Sequence, residues 1–167
     1  MKKWYVLYVK MHHEKKVAQR FENRGTECFL PIQTIVRQWS DRKKKMEKVV
    51  IPRMLFVHVE EQERVELLQD PSAQYYLSIR GTGKPAFISD KEMERFMFMF
   101  DYSDTAIGFC TEQLAPGCMV RIVKGPLTGL EGELFQNNGR HEVVIRIPQL
   151  GYATIEVPVG YVSKIGD

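Results

Sequence analysis

The 167-residue sequence predicts an α+β protein built from an N-terminal α/β sandwich with an antiparallel-rich sheet and a small C-terminal β-barrel. Three observations predict this fold class. Residues 1–100 alternate strand-forming runs with amphipathic segments in the order β-α-β-β-β-α-β-α. Residues 101–115 lose this periodicity and collect serine, aspartate, glycine and proline, which indicates a linker. Residues 116–167 contain four or five short strands at near-regular spacing, which is typical of a closed barrel.

The first elements of the N-terminal module follow from its apolar runs. Residues 4–9 are aromatic or β-branched without interruption, which predicts a strand buried in the centre of a sheet. Residues 13–24 predict a helix that Gly25 ends, because glycine readily adopts the left-handed conformation after a last helical turn. A second strand over residues 27–36 contains Pro31, which favours an edge position or a bulge.

The rest of the N-terminal module predicts a hairpin, two strands and two helices. Residues 37–48 are a cationic stretch between strand formers and predict the protruding tip of a β-hairpin. Strands follow at 54–59 and 75–79, separated by a short helix. Ser89 and Glu92 form a capping box that opens the clearest helix. The predicted inward stripe of that helix is Met93, Phe96, Met97 and Phe100.

The C-terminal barrel is predicted from strands at residues 119–123, 130–135, 142–147 and 152–157. Between the first two, the chain breaks into a loop that contains three glycines and a proline. These residues allow backbone angles that β-branched neighbours would refuse, so the loop predicts a corner of the barrel.

Charge is distributed unevenly along the chain. Residues 1–53 hold 14 lysines and arginines against 5 acids, a formal charge of +9, and the remainder holds 10 against 16, a charge of −6. Because summed charge steers encounters, this asymmetry predicts that the N-terminal module meets a polyanion or an acidic protein surface. The alternative is a solvated basic face without a partner.

The sequence offers little support for an enzyme, a secreted protein or a membrane protein. Cys28, Cys110 and Cys118 are too irregularly spaced for a disulfide framework or a zinc knuckle. The first apolar run is broken by Lys10 and forms neither a signal peptide nor a membrane span. The four histidines lack metal-ligand spacing, and no serine lies in a nucleophile elbow. We expect a cytoplasmic monomer without catalytic activity, metal or cofactor.

Several segments, in this order and separation, resemble the NusG family of transcription factors. The N-terminal module resembles the NGN domain, and residues 120–132 resemble a KOW motif. The basic string at residues 39–45 and the short linker resemble specialised paralogues such as RfaH and the UpxY-like antiterminators of polysaccharide operons. The segments that carry the resemblance lie at residues 4–10, 13–25, 28–31, 51–57 and 116–132.

The resemblance implies an elongation or antitermination factor, specific to certain operons, whose NGN domain binds the clamp helices of RNA polymerase. By keeping the clamp closed, such a factor would disfavour paused and terminating states. The residues implied for the apolar binding depression are Tyr8, Ile51, Pro52, Met54 and Phe56. Family members usually carry aromatic residues at the positions of Ile51 and Met54, which implies a depression of different shape in this chain.

The resemblance also implies that a basic face binds the non-template DNA strand or nascent RNA. Lysine and arginine would neutralise phosphates, and planar side chains would stack on bases. The candidate residues are Lys10, His13, Lys16, Arg20, Arg24, Trp39, Arg42 and Lys43. The alternative for the hairpin is an inert, solubilising tip that protects the edge of a sheet.

For the KOW domain, the resemblance implies a small-subunit ribosomal protein or the terminator Rho as partner. The residues implied for this contact are Pro126, Leu127 and Leu130, and the alternative is that they close the barrel. Residues 143–147 prefer a strand strongly, so we expect a permanent barrel. A different function, that of a ribosome-associated or RNA-binding KOW protein, would explain the barrel but leave the N-terminal module unexplained.

Overall fold

The computed structural model describes residues 1–38, 41–112 and 114–165 and has an α+β fold. The fold class predicted from the sequence is therefore confirmed. Among the described residues, no helix is long and apolar enough to cross a membrane. The elements in chain order are β1 (Lys3–Val9), α1 (Glu14–Asn23), β2 (Glu27–Phe29), β3 (Ile32–Gln38), β4 (Lys43–Val49), β5 (Met54–Val59), α2 (Glu61–Leu67), β6 (Ala73–Tyr76), β7 (Phe87–Ile88), α3 (Asp90–Tyr102), β8 (Ile107–Cys110), β9 (Cys118–Ile122), β10 (Glu131–Asn137), β11 (Arg140–Ile147), β12 (Gly151–Val157) and β13 (Val162–Lys164).

The N-terminal sheet has the antiparallel order β2-β5-β1-β6, and β7 also pairs with β1. Side chains of β1 alternate between two cores because successive residues in a strand point to opposite faces. Tyr5, Leu7 and Val9 belong to one core together with residues of α1 and α2. Trp4 and Val6 belong to the other core, where α3 packs. The sheet therefore has an α1/α2 face and an α3 face.

The two longer helices of this module form as their sequence patterns predict. Gly25, with φ of 83°, follows α1, and its N–H donates to the carbonyl of Glu22 over 3.0 Å. At the start of α3, Ser89 and Glu92 bond reciprocally over 3.2 Å and complete the predicted capping box. The buried stripe of α3 differs by one residue, because Met99 is fully buried, whereas the predicted Met97 packs against the core but is only partly buried.

Strands β3 and β4 form a separate two-stranded hairpin rather than part of the N-terminal sheet. The prediction of one strand over residues 27–36 was wrong, because the chain leaves the N-terminal sheet after β2 and Pro31 lies between the two strands. Proline lacks the N–H that a continuous ladder would need at that position. Lys43 lies in β4, so the cations predicted for a hairpin tip extend along a strand.

The C-terminal sheet has six strands in the antiparallel order β13-β9-β10-β11-β12-β8. Strand β8 lies inside the predicted linker and pairs with β12, placing Ile107 opposite Ile155. The linker prediction was therefore wrong for residues 107–110. Four residues that include Gly108 give too short a pattern to recognise, yet an added Cβ at Gly108 would lie only 2.8 Å from Thr154 Oγ1.

The C-terminal sheet packs against the N-terminal module through α3 and the segment that follows it. Arg95 of α3 lies 3.4 Å from Glu131 of β10. The side chain of Gln33, which is 6% exposed, donates to the carbonyl of Thr105 over 2.6 Å and accepts from the N–H of Ile107 over 2.9 Å. This one buried amide therefore joins the β3-β4 hairpin to the start of the C-terminal sheet.

Candidate interaction surfaces

A row of three side chains crosses the N-terminal sheet at the end of β1. Tyr8 pairs with Met54 of β5 on one side and with Tyr75 of β6 on the other. Directly paired residues project to the same face, so these three side chains form what we call the Tyr8 row. The Tyr8 and Tyr75 rings stack with their centroids 4.7 Å apart and an interplanar angle of 24°.

The Tyr8 row lies on the α3 face but is left partly open to solvent. Along β1, Trp4 and Val6 are buried on this face, whereas Tyr8 is only half-buried. Met54 is also half-buried, and Tyr75 is 54% exposed. With strands about 4.8 Å apart, the row extends over roughly 10 Å. It is therefore an accessible, mainly apolar surface.

Two residues of the predicted binding depression lie underneath this surface rather than in it. Ile51 is 2% exposed and Phe56 is fully buried. Phe56 contacts Phe96 of α3, with ring centroids 5.2 Å apart. The structure does not support direct contact of Ile51 or Phe56 with a partner, because α3 and the core cover them. Pro52 is exposed and remains available.

Positively charged groups flank the Tyr8 row. Arg53 directly precedes Met54, and its guanidinium donates to the side-chain oxygen of Gln74 over 2.8 Å. Lys10 is exposed two residues after Tyr8. Burial, followed by the neighbouring Tyr75, raises the pKa of Tyr8 above its ordinary value of 10.0, and Arg53 opposes this shift. The Tyr8 phenol is thus neutral at neutral pH, and the surface combines aromatic groups with cations at its margin.

Sequence analysis missed Tyr75, although the sequence contains one signal for it. Tyr75 and Tyr76 are adjacent aromatic residues in a strand, so alternation must place them on opposite faces. Tyr76 is buried in the α1/α2 core, and its hydroxyl donates to the carbonyl of Arg64 over 2.7 Å. Tyr75 therefore had to project from the other face, but the sequence alone does not show that this end of the face is open.

In the predicted basic face, Lys16 and Arg20 lie on α1, which packs on the α1/α2 face of the sheet, whereas Lys10 precedes this helix and Arg24 directly follows it. Lys10, Lys16, Arg20 and Arg24 are all exposed. Two of these four cations are paired within the protein, however. Arg20 donates to both carboxylate oxygens of Asp70 over 2.8 Å, and Arg24 lies 3.8 Å from Glu66.

The pair between Arg20 and Asp70 reduces the positive charge that this face can offer to a ligand. Hydrogen bonding from Arg20 lowers the pKa of Asp70, supported by the backbone N–H of Ser72 and opposed by burial. Asp70 is consequently ionised at neutral pH and neutralises Arg20. Within the part of the chain that the structure describes, Lys10 and Lys16 have no ion pair, so they remain the free cations of this face.

His13 has a structural contact at the start of α1. Its Nδ1 lies 2.8 Å from the hydroxyl of Ser72, which also accepts from Arg20 over 3.3 Å. His13 is half-buried in this position. The contact connects the start of α1 to the segment that leads into β6, so His13 is only partly available to a ligand.

The β3-β4 hairpin extends the basic face beyond α1. Arg42 and Lys43 are exposed, as predicted, whereas Trp39 lies outside the described residues. Lys15 of α1 lies 3.3 Å from Glu47 of β4, which places the helix and the hairpin side by side. We use the name basic surface for Lys10, Lys16, Arg42 and Lys43.

The predicted contact residues of the C-terminal module are mostly core residues. Leu127 and Leu130 are 5% and 3% exposed, so these two leucines are part of the core and offer little surface to a partner. The N–H of Leu130 donates to the carbonyl of Leu127 over 3.0 Å and closes the turn that carries both leucines. Pro126 is exposed, as are Val123 and Val159, which sequence analysis missed. They are single apolar residues at the ends of strands or in turns and carry no periodic signal.

The cysteines and acidic residues show no arrangement that suggests metal or thiol chemistry in the described part of the chain. Burial, then Glu22 and Glu27, raises the pKa of the Cys28 thiol to about 11, so the thiol is protonated at neutral pH. No group of three or more histidine, cysteine, aspartate and glutamate side chains among the described residues could hold a metal ion.

Comparisons with known proteins agree on one family. A family profile described as transcription termination factor NusG matches residues 2–97. The transcription termination/antitermination protein NusG of Haemophilus influenzae is 27% identical over 178 residues, covering 98% of this chain and 95% of that protein. The NusG protein of Pasteurella multocida is 27% identical over 177 residues with the same coverage. A solved structure that describes domain interaction in Thermotoga maritima NusG has a TM-score of 0.51 at 19% identity, covering 99% of this chain and 98% of that one, which supports a shared fold.

Proposed function

Because the chain belongs to the NusG family of transcription termination and antitermination factors, we propose that it binds RNA polymerase and suppresses pausing or termination at particular operons. The observation that carries this proposal is the Tyr8 row, an apolar surface that the fold leaves open at one end of the N-terminal sheet. An exposed patch of aromatic residues beside charged groups is typical of a protein interface.

In this proposal, the clamp helices of RNA polymerase bind the Tyr8 row together with Pro52. Complete burial of an exposed methionine or phenylalanine side chain contributes about 1.5–3 kcal/mol, and the half-buried Tyr8 and Met54 would each contribute part of that. A factor that binds the closed clamp more tightly than the open clamp shifts the population toward the closed state by that difference. About 1.4 kcal/mol of preference changes the ratio of the two states tenfold. This mechanism requires binding alone, with no catalytic group, metal or cofactor.

The basic surface would bind the non-template DNA strand or nascent RNA near the polymerase. Lys16 of this surface lies on α1, which packs on the opposite face of the N-terminal sheet from the Tyr8 row. Since Lys16 and the Tyr8 row lie on opposite faces of the sheet, one molecule can contact polymerase and nucleic acid at the same time, and Lys10, two residues after Tyr8, borders both contacts. The free cations Lys10 and Lys16 would contribute more to this contact than the paired arginines.

The C-terminal sheet would act as a second domain and recruit a further partner, a small-subunit ribosomal protein or Rho. Exposed apolar residues at one end of this sheet support such a contact. The N–H of Val123 donates to the carbonyl of Tyr161 over 2.8 Å, and Val159, two residues before Tyr161, is 73% exposed. We therefore propose Val123, Pro126 and Val159 as contact residues in place of the buried leucines. The protein would act in the cytoplasm, where transcription and translation meet.

In vitro transcription on the leader of the operon that contains the gene tests the proposed function. The wild-type protein should increase readthrough of pauses or terminators, and Tyr8→Ala should remove this effect. Phe87→Ala is the control, because Phe87 is an exposed aromatic residue of the same sheet that pairs with Tyr5 on the other face. Unchanged readthrough with the wild-type protein would contradict the proposal. Capture of ribosomal subunits but not polymerase from lysate would favour a ribosome-associated protein instead.

A further inference from the structure

Strand β8 lies at one end of the C-terminal sheet. In the described part of the chain it pairs only with β12, so its other edge has no neighbouring strand. The N–H of Ile107 donates to the side chain of Gln33 and therefore points to this outer edge. Every second residue of an antiparallel strand points its N–H and C=O to the same side, so Phe109 also directs its backbone groups outward.

The side chain of Gln33 shows what the outer edge of β8 can bind. Its amide donates to the carbonyl of Thr105 and accepts from the N–H of Ile107. One residue of an adjacent parallel strand makes the same two bonds, to residues two positions apart. Gln33 thus occupies the beginning of the edge, and the edge from Phe109 to the exposed Thr111 remains available to a strand from another molecule.

Strand β8 lacks the usual features that prevent pairing at an exposed edge. Natural proteins protect such edges with charged residues, prolines, bulges or a covering element. The four residues of β8 are Ile107, Gly108, Phe109 and Cys110, and they pair with β12 in continuous register. A strand of four residues allows a partner only a few backbone hydrogen bonds, so side-chain contacts must supply the rest of the affinity.

The surroundings of this edge are acidic. Residues 101–115 contain three acidic residues and no lysine or arginine. On the neighbouring strand β12, Glu156 lines an open depression of about 440 Å³ together with Ala106 and Thr154. Residues 54–167 carry a formal charge of −6, which the contacts with polymerase and nucleic acid proposed above do not use. Charge complementarity therefore favours a basic partner at this edge.

Gly108 connects the outer edge of β8 with this depression. An added Cβ at Gly108 would lie 2.8 Å from Thr154 Oγ1, so the two residues share one face of the sheet. A long side chain from a strand outside β8 can extend across Gly108 toward Glu156, over roughly 10 Å or two strand spacings. Arg140 lies 3.6 Å from Glu156, but both side chains are more than half exposed, so this pair is weak and can exchange.

We propose that the outer edge of β8 is a docking site for an extended, basic protein segment. The segment adds as a further strand, with backbone hydrogen bonds to Phe109 and a lysine or arginine that extends across Gly108 toward Glu156. Backbone pairing provides the position of the segment, and the acidic surroundings select its charge. The site uses none of the residues assigned above to polymerase, nucleic acid or the C-terminal contact, so its test is independent of the proposed function.

Short synthetic peptides test this site, because a peptide can be changed without affecting the fold of the protein. The probe alternates lysine with valine, and a second peptide carries glutamate in place of each lysine. Two further peptides keep the lysine and valine side chains but are N-methylated, one at every lysine and the other at every valine. In an added strand, alternate N–H groups point to β8, so only one of these two methylations removes the bonds to the edge.

Nuclear magnetic resonance of the isotope-labelled full chain measures the Kd and identifies the amides that each peptide affects. We expect the lysine peptide to shift the signals of Phe109 and Thr111 and to slow hydrogen exchange at Phe109. The glutamate peptide and one N-methylated peptide should bind at least about tenfold more weakly. Glu156→Gln should raise the Kd of the lysine peptide about three- to fivefold. Glu94→Gln, at an exposed position of α3, is the control and should stay within about twofold of wild type.

Three results would overturn the proposal. Equal binding of both N-methylated peptides would mean that charge alone attracts the probe, without pairing at the edge. Unshifted signals of Phe109 and Thr111 at millimolar lysine peptide would mean that the edge does not accept a strand. Exchange at Phe109 that slows with protein concentration, in the absence of peptide, would mean that a second copy of the chain occupies the edge instead.

Discussion

The two faces of the N-terminal sheet differ in how completely they are covered. On the α1/α2 face, Tyr5, Leu7 and Val9 are all buried along the length of β1. On the α3 face, burial ends after Val6, and Tyr8 borders solvent with its neighbours Met54 and Tyr75. The buried residues of the covered face stabilise the sheet. The residues at the open end of the other face remain partly exposed and contribute less to stability, which is why we propose that they bind a partner.

The two faces also differ in the chemistry that they present to solvent. The α1/α2 face carries cations on the outer side of α1, and acidic residues of the same protein neutralise some of them. The α3 face presents the apolar Tyr8 row with charge only at its margin. Binding by the α1/α2 face should depend strongly on salt, and binding by the α3 face should depend on salt only weakly. The predictions below test this contrast, from the largest expected effect to the smallest.

The largest effect should come from a residue of the α3 face that lies under helix α3. We expect Phe56→Ala to lower the free energy of unfolding by about 3–5 kcal/mol, because it removes a fully buried ring. Met54→Ala, on the same strand but at the open end, should cost less than about 2 kcal/mol. Denaturant unfolding followed by circular dichroism measures both. Equal losses would mean that the open end is as much a part of the core as the covered end.

The second prediction concerns the segment that joins α3 to the C-terminal sheet. Gln33→Ala removes the two hydrogen bonds that the Gln33 side chain makes with the carbonyl of Thr105 and the N–H of Ile107. We expect this to lower local stability by about 1–3 kcal/mol. Hydrogen exchange at the N–H of Ile107 should speed up accordingly. Gln136→Ala is the control, since Gln136 is an exposed residue of β10. Unchanged exchange at Ile107 would show that packing of the C-terminal sheet on α3 holds this segment without Gln33.

The third prediction uses the pH dependence of the Arg20–Asp70 pair on the α1/α2 face. Since the folded protein lowers the pKa of Asp70 below its ordinary value of 3.8, the pair stabilises the fold above that value. This stability is lost as the pH falls through the lower folded pKa. Because Arg20 is 44% exposed and screened, we expect Asp70→Asn to cost only about 1 kcal/mol near neutral pH.

Unfolding measured near pH 7 and near pH 2 checks the pH prediction. The difference between wild type and Asp70→Asn should shrink near pH 2, because this pH lies below the ordinary pKa of 3.8, so ionisation of Asp70 favours the folded state less than at pH 7. Asp104→Asn, at an exposed position after α3, is the control. A difference that is the same at both pH values would rule out an ionic contribution of Asp70.

The smallest effects should appear when single cations of the basic surface are reversed. We expect Lys16→Glu to weaken binding of a single-stranded oligonucleotide about three- to tenfold and to lower the salt slope by about 0.7 per lost phosphate contact. Arg24→Glu should have a smaller effect, since Glu66 already lies near Arg24. Fluorescence anisotropy at several salt concentrations measures both, with exposed Lys84→Glu as control. Wild-type affinity and slope in Lys16→Glu would reject the basic surface.

The sequence predicts those parts of the fold that depend on neighbouring residues. The run at β1, the glycine after α1 and the capping box of α3 are local patterns, and each leads to the element that it indicates. The same holds for most strands of the C-terminal sheet. Strands β8 and β13 are exceptions, because each is only three or four residues long and becomes a strand through pairing with a distant segment, β8 with β12 and β13 with β9.

The surfaces depend on contacts between distant residues and are less predictable. The family resemblance implies a binding role for Tyr8, but its stacking partner Tyr75 lies 67 positions away. The neutralisation of Arg20 by Asp70 spans 50 positions. Phe56 and Met54 share a strand and a face, and only the position of α3 makes one buried and the other accessible. Residue type and spacing do not encode such differences in exposure.

The central claim is that the Tyr8 row, and not the basic surface, supplies the affinity for RNA polymerase. The most direct measurement is the Kd of wild type, Tyr8→Ala and Lys16→Glu for core RNA polymerase without nucleic acid, at two salt concentrations and with folding verified by thermal melting. We predict that Tyr8→Ala binds at least about tenfold more weakly at both salt concentrations, while Lys16→Glu binds within about twofold of wild type. Wild-type affinity in Tyr8→Ala, or a loss confined to Lys16→Glu, would contradict the account.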